Sequence, residues 1–200
     1  MRGAILAGGA ARRFGGEPKG LWEIGGERML DRAVRALQTA VGSDPVIVAN
    51  AADAGDWVQG LSVVKDVRPH CGSLGGIFTV VSSSLEPALI VAWDMPFLHP
   101  ELLQSLIRGA EANDVFLPES TGPLGVEPLC GVYGPACTGP IEHALDEKDF
   151  RACGFHDKVR CGTLPLAEVE QLGDPSMMFF NVNTLDDIQT AEELWKNRHV

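Results

Sequence analysis

The feature that most constrains the fold of this chain is an apolar run near the amino terminus that passes directly into a glycine-rich loop. Residues 3–7 have the composition of a buried strand, and the loop after them carries Arg12, Arg13 and Lys19. Glycines let the backbone come close to a ligand, and free N–H groups in such a turn form a concave anion site. A lysine at the end of the loop adds a positive charge that suits a phosphate. The pattern predicts the phosphate-binding loop of an enzyme that uses a nucleotide.

This loop differs from two better-known phosphate-binding motifs. Lys19 is followed by Gly20 and Leu21 and not by serine or threonine, so the hydroxyl with which a P-loop holds its metal is missing. The dinucleotide fingerprint is excluded because the next helical pattern starts only near Met29. A flexible surface loop with solvated charges is the alternative. The nucleotide interpretation is favoured because the loop follows a predicted strand, where open α/β sheets bind ligands.

Apolar runs alternate with amphipathic helical patterns along the first part of the chain. The sequence predicts strands at 46–49, 61–64 and 88–92, and helices at 30–41, at 77–84 and from Pro100 onward. This alternation is typical of βαβ units with right-handed crossovers. The predicted fold class is therefore α/β, with a mostly parallel central sheet and helices on both faces.

The second half of the chain is less regular. It predicts strands at 114–117, 129–133 and 179–182, a helix at 141–149, and a closing helix capped by Thr184. Residues from about 118 to 176 contain many glycines and prolines, and we interpret them as a substrate-side elaboration. Residues 1–200 are accordingly predicted to form a single domain.

Composition limits the partners and the compartment of the protein. Sixteen basic residues against 27 acidic ones give a formal charge of −11, which disfavours non-specific binding to nucleic acid or to anionic membranes. The chain has neither an apolar run long enough to span a membrane nor a segment of signal-peptide type. Five cysteines without Cys-x-x-Cys spacing are expected to be free thiols. We therefore expect a cytoplasmic protein that binds neither nucleic acid nor membrane.

Asp94 is the second residue that points to chemistry. It follows the apolar run 88–93 and precedes Met95 and Pro96. A carboxylate at the carboxyl end of a central strand lies where folds of this class bind ligands. Mg²⁺ needs only one or two protein carboxylates, because water and phosphate oxygens complete its shell. We predict that Asp94 holds Mg²⁺, with an aspartate in a simple turn as the alternative.

Two pairs of polar residues complete the predicted site. Asn50 and Asp66 each end a candidate strand at the same sheet edge as Asp94, and their amide and carboxylate suit a base or a ribose. Each of them taken alone also fits an Asx turn. Asn181 and Asn183 lie on one face of an extended segment, where paired amides can hold a polar heterocycle. Helix capping is the alternative for Asn183.

The sequence resembles the molybdenum cofactor guanylyltransferases, a branch of the nucleotidyltransferases with a Rossmann-like sheet. The resemblance spans almost the whole chain and depends on motifs in the family's order: Leu6-Ala7-Gly8-Gly9, Arg13, Gly15-Gly16, Lys19, Asp94-Met95-Pro96 and Asn181-Val182-Asn183-Thr184. It implies a three-layer Rossmann-like nucleotidyltransferase fold, with residues 1–200 as a single nucleotidyltransferase domain. It further implies transfer of GMP from GTP to the terminal phosphate of molybdenum-bound molybdopterin, with release of pyrophosphate. It also implies molybdenum-insertion proteins and acceptor molybdoenzymes as partners.

The resemblance assigns a role to each matched residue. The implied catalytic residues are Arg13, Lys19 and Asp94, with Asp94 as the ligand of Mg²⁺ and Asn181 and Asn183 facing the pterin. The implied nucleotide-binding residues are Leu6, Ala7, Gly8, Gly9, Lys19, Asn50, Asp66 and Asp94.

Three residues depart from the family's pattern. Phe14 stands where methionine is usual, Pro18 where aspartate is usual, and Trp93 where a small residue or cysteine is frequent. Pro18 leaves a non-catalytic nucleotide- or pterin-binding protein as an alternative of a different class. Gly8 stands where cytidine-using relatives often carry alanine, which favours guanine. A molybdopterin cytidylyltransferase and a sugar-phosphate nucleotidyltransferase are the enzymatic alternatives.

Overall fold

The computed structural model describes residues 1–8 and 18–197, which contain nine strands: seven form one central sheet and two form a separate hairpin. The strands are β1 (Arg2–Leu6), β2 (Glu23–Ile24), β3 (Glu27–Arg28), β4 (Val46–Val48), β5 (Val63–Val64), β6 (Ala88–Ala92), β7 (Val115–Pro118), β8 (Cys130–Tyr133) and β9 (Cys161–Leu164). The helices are α1 (Met29–Val41), α2 (Gly72–Ser82), α3 (Pro100–Gly109), α4 (Thr138–Asp146), α5 (Leu166–Leu172), α6 (Pro175–Met178) and α7 (Leu185–Asn197).

The central sheet has the strand order β5-β4-β1-β6-β8-β7-β9, and β2 pairs separately with β3. The strands β5, β4, β1 and β6 are parallel to one another, and β9 is parallel to β7. Within the central sheet, as far as it is described, β8 alone is antiparallel to its neighbours, β6 and β7. The predicted mostly parallel sheet is confirmed. The carboxyl ends of β4, β1 and β6 therefore open at one edge, together with the amino end of β8.

Two apolar clusters, one on each face of the sheet, hold the layers together. In β6, Leu89 and Val91 belong to the cluster under α1 and α3, while Ala88 and Ile90 belong to the cluster under α2 and α4. All residues of β6 are buried, as expected for a strand covered on both faces. The three-layer α/β fold is confirmed.

A third cluster attaches the carboxyl-terminal helix to the β2–β3 hairpin. Its buried members are Ile24, Met29, Phe97, Val182 and Ala191. The hairpin turn contains Gly25 at φ +60°, where a Cβ would lie 2.1 Å from the indole nitrogen of Trp195. Glycine is therefore required by both the backbone and the packing. Because Val182 is part of this cluster, the cluster anchors the Asn-Val-Asn segment beside the sheet.

Helix α2 starts earlier than the sequence predicts. It begins at Gly72 and not at Ile77, so Gly72, Gly75 and Gly76 lie in the helix. A Cβ at position 75 would lie 2.8 Å from the carbonyl oxygen of Arg68, and glycine allows this close approach. Tertiary packing thus outweighs the weak helix propensity of glycine.

The predicted strand at 179–182 is wrong, because these residues follow a helical turn. Phe179 N–H donates to the carbonyl of Pro175 and Phe180 N–H to that of Met177, each at 3.1 Å. Val182 N–H donates to the carbonyl of Asp94 at 2.9 Å. Strand β9 and helices α5 and α6 were not predicted. The assignment of 1–200 to a single domain stays a prediction, although residues 118–176 contribute β8 and β9 to the central sheet.

An ion pair between Asp114 and Arg160 joins β7 to the edge strand β9, and we expect it to stabilise the fold above about pH 4. Arg160 donates to Asp114 through its backbone N–H at 3.0 Å and through Nη2 at 2.7 Å. These hydrogen bonds lower the pKa of Asp114 to about 2, from an ordinary 3.8. Since the folded-state pKa is depressed, the stabilisation is lost as the pH falls through 2.

Replacing Arg160 by glutamine is expected to lower the midpoint of thermal unfolding at pH 7 by about 2–4 °C. The difference from the unchanged protein should shrink between about pH 4 and pH 2. Calorimetry across this range checks the expectation, and Lys158→Gln, which removes a local pair with Asp157, is the control. Equal midpoints at pH 7 would contradict it.

Candidate active site

Three residues from distant parts of the sequence meet at the carboxyl end of β6. Lys19 forms a salt bridge with Asp94, although 75 residues separate them. The same ammonium group donates a hydrogen bond of 2.7 Å to the Asn183 side-chain oxygen, 164 residues away. The Lys19 and Asp94 side chains are 14% and 12% exposed, so the pair is largely shielded from water. The contacts of Lys19 thus bring together the end of the amino-terminal loop, the Asp94 carboxylate and the Asn-Val-Asn segment.

The backbone around Asp94 is fixed from two sides. Trp93 N–H donates to the carbonyl of Leu6 at the end of β1. On the other side, the carbonyl of Asp94 accepts the N–H of Val182. This bond anchors Val182, so its two sequence neighbours, Asn181 and Asn183, are held beside the Asp94 carboxylate. Asn181 donates its side-chain amide to the carbonyl of Phe179 at 2.9 Å, which leaves its side-chain oxygen for a ligand.

The start of α7 fixes the orientation of Asn183. The Asp187 carboxylate accepts the backbone N–H groups of Asn183 and Thr184, each at 2.8 Å, and Asp187 N–H donates to the Thr184 hydroxyl. Burial alone raises the pKa of Asp187, but these hydrogen bonds bring it below its ordinary value. The predicted capping role of Thr184 is confirmed.

Trp93 contacts the loop end that carries Lys19. A Cβ added to Gly20 would lie 2.2 Å from the Trp93 ring, so the indole occupies the space that glycine leaves. Trp93 also stacks on Trp57, with ring centroids 5.2 Å apart. The large residue at position 93, which departs from the family's pattern, is thus accommodated by Gly20. Sequence reasoning missed this contact because no local pattern joins positions 20 and 93.

Asn50 and Asp66 form a reciprocal pair at the ends of β4 and β5. Asn50 donates its amide to Asp66 Oδ2 at 2.7 Å, and Asp66 N–H donates to Asn50 Oδ1 at 2.9 Å. The other carboxylate oxygen of Asp66 is buried and accepts no hydrogen bond from the described residues. A ligand with N–H or O–H groups could satisfy it. This pair lies at the same sheet edge as Asp94, on the β4 side of β1.

The first residues of the predicted nucleotide loop continue from β1. Ala7 N–H donates to the carbonyl of Val48 at 2.9 Å, and Leu6 ends the strand. Gly8 is exposed, and a Cβ added there would meet no atom of the described residues within 4 Å. Gly9 and Arg13, predicted for nucleotide binding and catalysis, lie outside the described residues.

One carboxylate oxygen of Asp94 is free to bind a divalent metal ion. Asp94 Oδ1 is buried and accepts no hydrogen bond from residues 1–8 or 18–197. Those residues contain no group of three or more His, Cys, Asp or Glu side chains that could hold a metal. A site built for zinc needs such a group, whereas Mg²⁺ takes most of its ligands from phosphate and water.

Residues 3–158 match the family model described as the MobA-like NTP transferase domain. The chain belongs to this family. It is 36% identical to the molybdenum cofactor guanylyltransferase of Desulfosudis oleivorans, over 96% of this chain and 94% of the relative. It is 34% identical to the probable molybdenum cofactor guanylyltransferase of Pelotomaculum thermopropionicum, over 98% of this chain and 93% of the relative. The predicted family is confirmed.

The MobA-like fold is also found in a solved structure. Molybdopterin-guanine dinucleotide biosynthesis protein A from Archaeoglobus fulgidus superposes on this chain with a TM-score of 0.81 and 23% identity. The match covers 98% of this chain and 100% of the other. This likeness supports the fold, including the order of strands that brings β4, β1 and β6 to one edge.

This MobA-like transferase has a cleft on the side of Asp94 opposite to Asn50. Ala92 N–H donates to the carbonyl of Leu129 at 2.9 Å, which places the segment before β8 next to the end of β6. The cleft has a volume of about 340 Å³, and its lining includes Leu129, Glu127 and Ser73 at the start of α2. Sequence reasoning did not identify Glu127, because a lone glutamate before proline has no distinguishing pattern.

The remaining predictions concern thiols and membranes. All five cysteines are free. Burial raises the pKa of the thiols of Cys130 and Cys137, which makes them poor nucleophiles. Among the described residues of this MobA-like protein, no helix combines the length and the apolar character needed to cross a membrane.

Proposed function

We propose that this protein transfers GMP from GTP to molybdenum-bound molybdopterin and so forms the guanine dinucleotide cofactor and pyrophosphate. The observation that carries the proposal is the meeting of Lys19, Asp94 and Asn183 at one point of the sheet edge. A cation, a carboxylate with a free oxygen and an amide are the groups needed to hold a nucleotide phosphate next to a second substrate. The names of the curated relatives support this choice of substrates.

The reaction needs little proton chemistry from the protein. An oxygen of the acceptor's terminal phosphate, already anionic, forms a bond to the α-phosphorus of GTP. The bond from this phosphorus to the bridging oxygen breaks, and its electron pair leaves with pyrophosphate. Catalysis then depends on alignment and on neutralising the charge that develops. We assign the stabilisation of the leaving pyrophosphate to Lys19 together with Arg13.

Asp94 is the proposed ligand of Mg²⁺, through the oxygen that accepts no hydrogen bond from the described residues. A bound Mg²⁺ supplies positive charge to the phosphate oxygens. The Lys19 ammonium group contacts Asp94 and Asn183 in this structure. On this assignment it leaves these partners and binds phosphate oxygens when the nucleotide binds.

The two substrates are assigned to opposite sides of Asp94. The backbone of Leu6 to Gly9 would contact the nucleotide, and the buried free oxygen of Asp66, oriented by Asn50, would accept from its base or ribose. Asn181 and Asn183 would face the acceptor. Molybdenum-insertion proteins and acceptor molybdoenzymes are the proposed partners. The free thiols are typical of the reducing cytoplasm, which is the proposed compartment.

A comparison of the rates with different nucleotides tests this proposal. With molybdopterin as acceptor, we expect pyrophosphate release with GTP to exceed that with CTP or UTP by at least about tenfold, a difference of about 1.4 kcal/mol. Faster release with CTP would favour a cytidylyltransferase. Activity only with UTP and a sugar phosphate would favour a sugar-phosphate nucleotidyltransferase. Binding of GTP without pyrophosphate release would favour the non-catalytic alternative.

A Gly8→Ala variant tests whether position 8 takes part in selecting the base. Since a Cβ at Gly8 meets no atom of the described residues within 4 Å, the variant should fold normally. We expect the methyl group to reduce the ratio of GTP to CTP use, because it would stand against the base. Gly139→Ala, where a Cβ also meets none of these atoms, is the matched control. An unchanged ratio would remove Gly8 from base selection.

A further inference from the structure

Glu127 is a carboxylate for which the mechanism above has no use. It lies in the segment between β7 and β8, and its Oε1 accepts the N–H of Leu129 at 3.1 Å. No basic side chain of the described residues forms an ion pair with it. Burial raises the pKa of Glu127, and the negative charge of Asp94 raises it further. Such a carboxylate is stabilised by a ligand that brings hydrogen-bond donors.

The cleft beside Glu127 has the size and composition of a site for a small heterocycle. Its volume of about 340 Å³ lies in the range of ligand pockets. Pro123, Leu124 and Pro128 provide apolar surface, while Ser73 and Ser120 also line the cleft and provide hydroxyl groups. A flat ring could therefore bury its faces and still find a few polar partners.

The sheet order places two carboxylates on opposite sides of Asp94. Asp66 follows β5, on one side of β1, and Glu127 precedes β8, on the far side of β6. Guanine and pterins carry the same 2-amino-4-oxopyrimidine edge, with two adjacent N–H donors. A carboxylate accepts both donors at once, one on each oxygen. Asp66 therefore suits the guanine ring of GTP, and Glu127 suits the pterin ring of the acceptor.

We propose that Glu127 binds the 2-amino-4-oxopyrimidine edge of the pterin acceptor in this cleft and thereby determines which acceptor is used. This inference rests on the proposed function, in which the nucleotide occupies the Asp66 side. Asn183, beside Lys19 and Asp94, then contacts the acceptor near its phosphate, while Glu127 binds the distant ring. Guanine has the same edge, and the experiment distinguishes binding of the pterin from binding of guanine.

Binding of two simple pteridines to the full-length protein tests the role of Glu127 without turnover. Pterin has the 2-amino group, whereas lumazine has an oxygen at that position. We expect the unchanged protein to bind pterin at least about tenfold more tightly than lumazine, as fluorescence titration measures, because an oxygen facing a carboxylate is repelled. Glu127→Gln should abolish or reverse this preference, since its amide can donate to the lumazine oxygen. The glutamine keeps the acceptor for Leu129 N–H, so the fold should be preserved.

Controls assign the effect to the acceptor. We expect Glu127→Gln to leave the affinity for GTP unchanged and to raise the KM for molybdopterin. Asp66→Asn should weaken GTP binding and leave the pterin preference unchanged. Glu147→Gln, at an exposed position in the helix cap of α4, should change neither.

Two results would overturn the proposal. One is a Glu127→Gln variant that still prefers pterin over lumazine to the same degree. The other is a loss of GTP affinity in that variant, which would place guanine in the cleft. If Glu127 controls pterin binding but the protein transfers no GMP, the proposed function fails and the pterin site stands.

Discussion

Replacing Lys19 by alanine is expected to lower kcat by about a hundredfold to a thousandfold, which is the usual effect of removing one charged or hydrogen-bonding group from a developing anion. Lys19 places its ammonium group between Asp94 and Asn183, in a region where both side chains of the ion pair are little exposed. A cation in such a shielded position acts strongly on phosphate oxygens. Steady-state kinetics with GTP and molybdopterin measure the effect.

The structure also predicts a cost in stability for this variant. Loss of Lys19 leaves the Asp94 carboxylate shielded from water without its cation, so the midpoint of thermal unfolding should fall. The kinetics must therefore be measured below the new midpoint. Lys196→Ala removes an exposed lysine at the end of α7 and is the matched control for charge. A rate equal to that of the unchanged protein in Lys19→Ala would remove Lys19 from the mechanism.

Replacing Asp94 by asparagine is expected to reduce activity by about a thousandfold or more and to raise the Mg²⁺ concentration needed for half-maximal rate. Asp94 Oδ1 is buried and accepts no hydrogen bond from the described residues, so the charge on this oxygen is available to a cation. Asparagine keeps the size of the side chain but removes that charge. A titration of rate against Mg²⁺ at saturating GTP measures the change.

A control and a double variant strengthen the Asp94 experiment. Asp157→Asn removes an exposed carboxylate that pairs with its neighbour Lys158, and it should leave the Mg²⁺ titration unchanged. If Lys19 and Asp94 act on one triphosphate, the double variant should be little worse than Asp94→Asn alone, because residues that act as a unit are non-additive. An Asp94→Asn titration that coincides with that of the unchanged protein would exclude the metal role.

Sequence reasoning succeeded where the pattern is local. Strand β6 was predicted with its observed bounds, because a continuous apolar run between turn residues has few other solutions in an α/β fold. Helix α3 begins at Pro100 as predicted, since proline fixes a helical φ at a first turn. The capping role of Thr184 was predicted for the same kind of reason.

Sequence reasoning failed where a contact between distant segments overrides the secondary-structure propensity of the residues. Residues 179–182 have strand-like composition, yet the N–H of Val182 bonds to Asp94 and its side chain joins the cluster under α7. Strand β9 has little strand character of its own and forms by pairing in parallel with β7. The ion pair of Arg160 with Asp114 also joins the two strands. Propensity is a weak prior in both cases, and packing decides.

The sequence alone determined the α/β class, the glycine-rich loop that follows β1, and the identities of Lys19, Asp94 and the two asparagines as candidate residues. These follow from hydrophobic period and from the chemistry of single side chains, which neighbouring positions encode. Only the tertiary structure decided that Lys19, Asp94 and Asn183 meet at one point and that Glu127 lines a cleft with Ser73 and Leu129. These contacts depend on the order of strands in the sheet, and strand order results from the packing of the whole chain and from no local pattern.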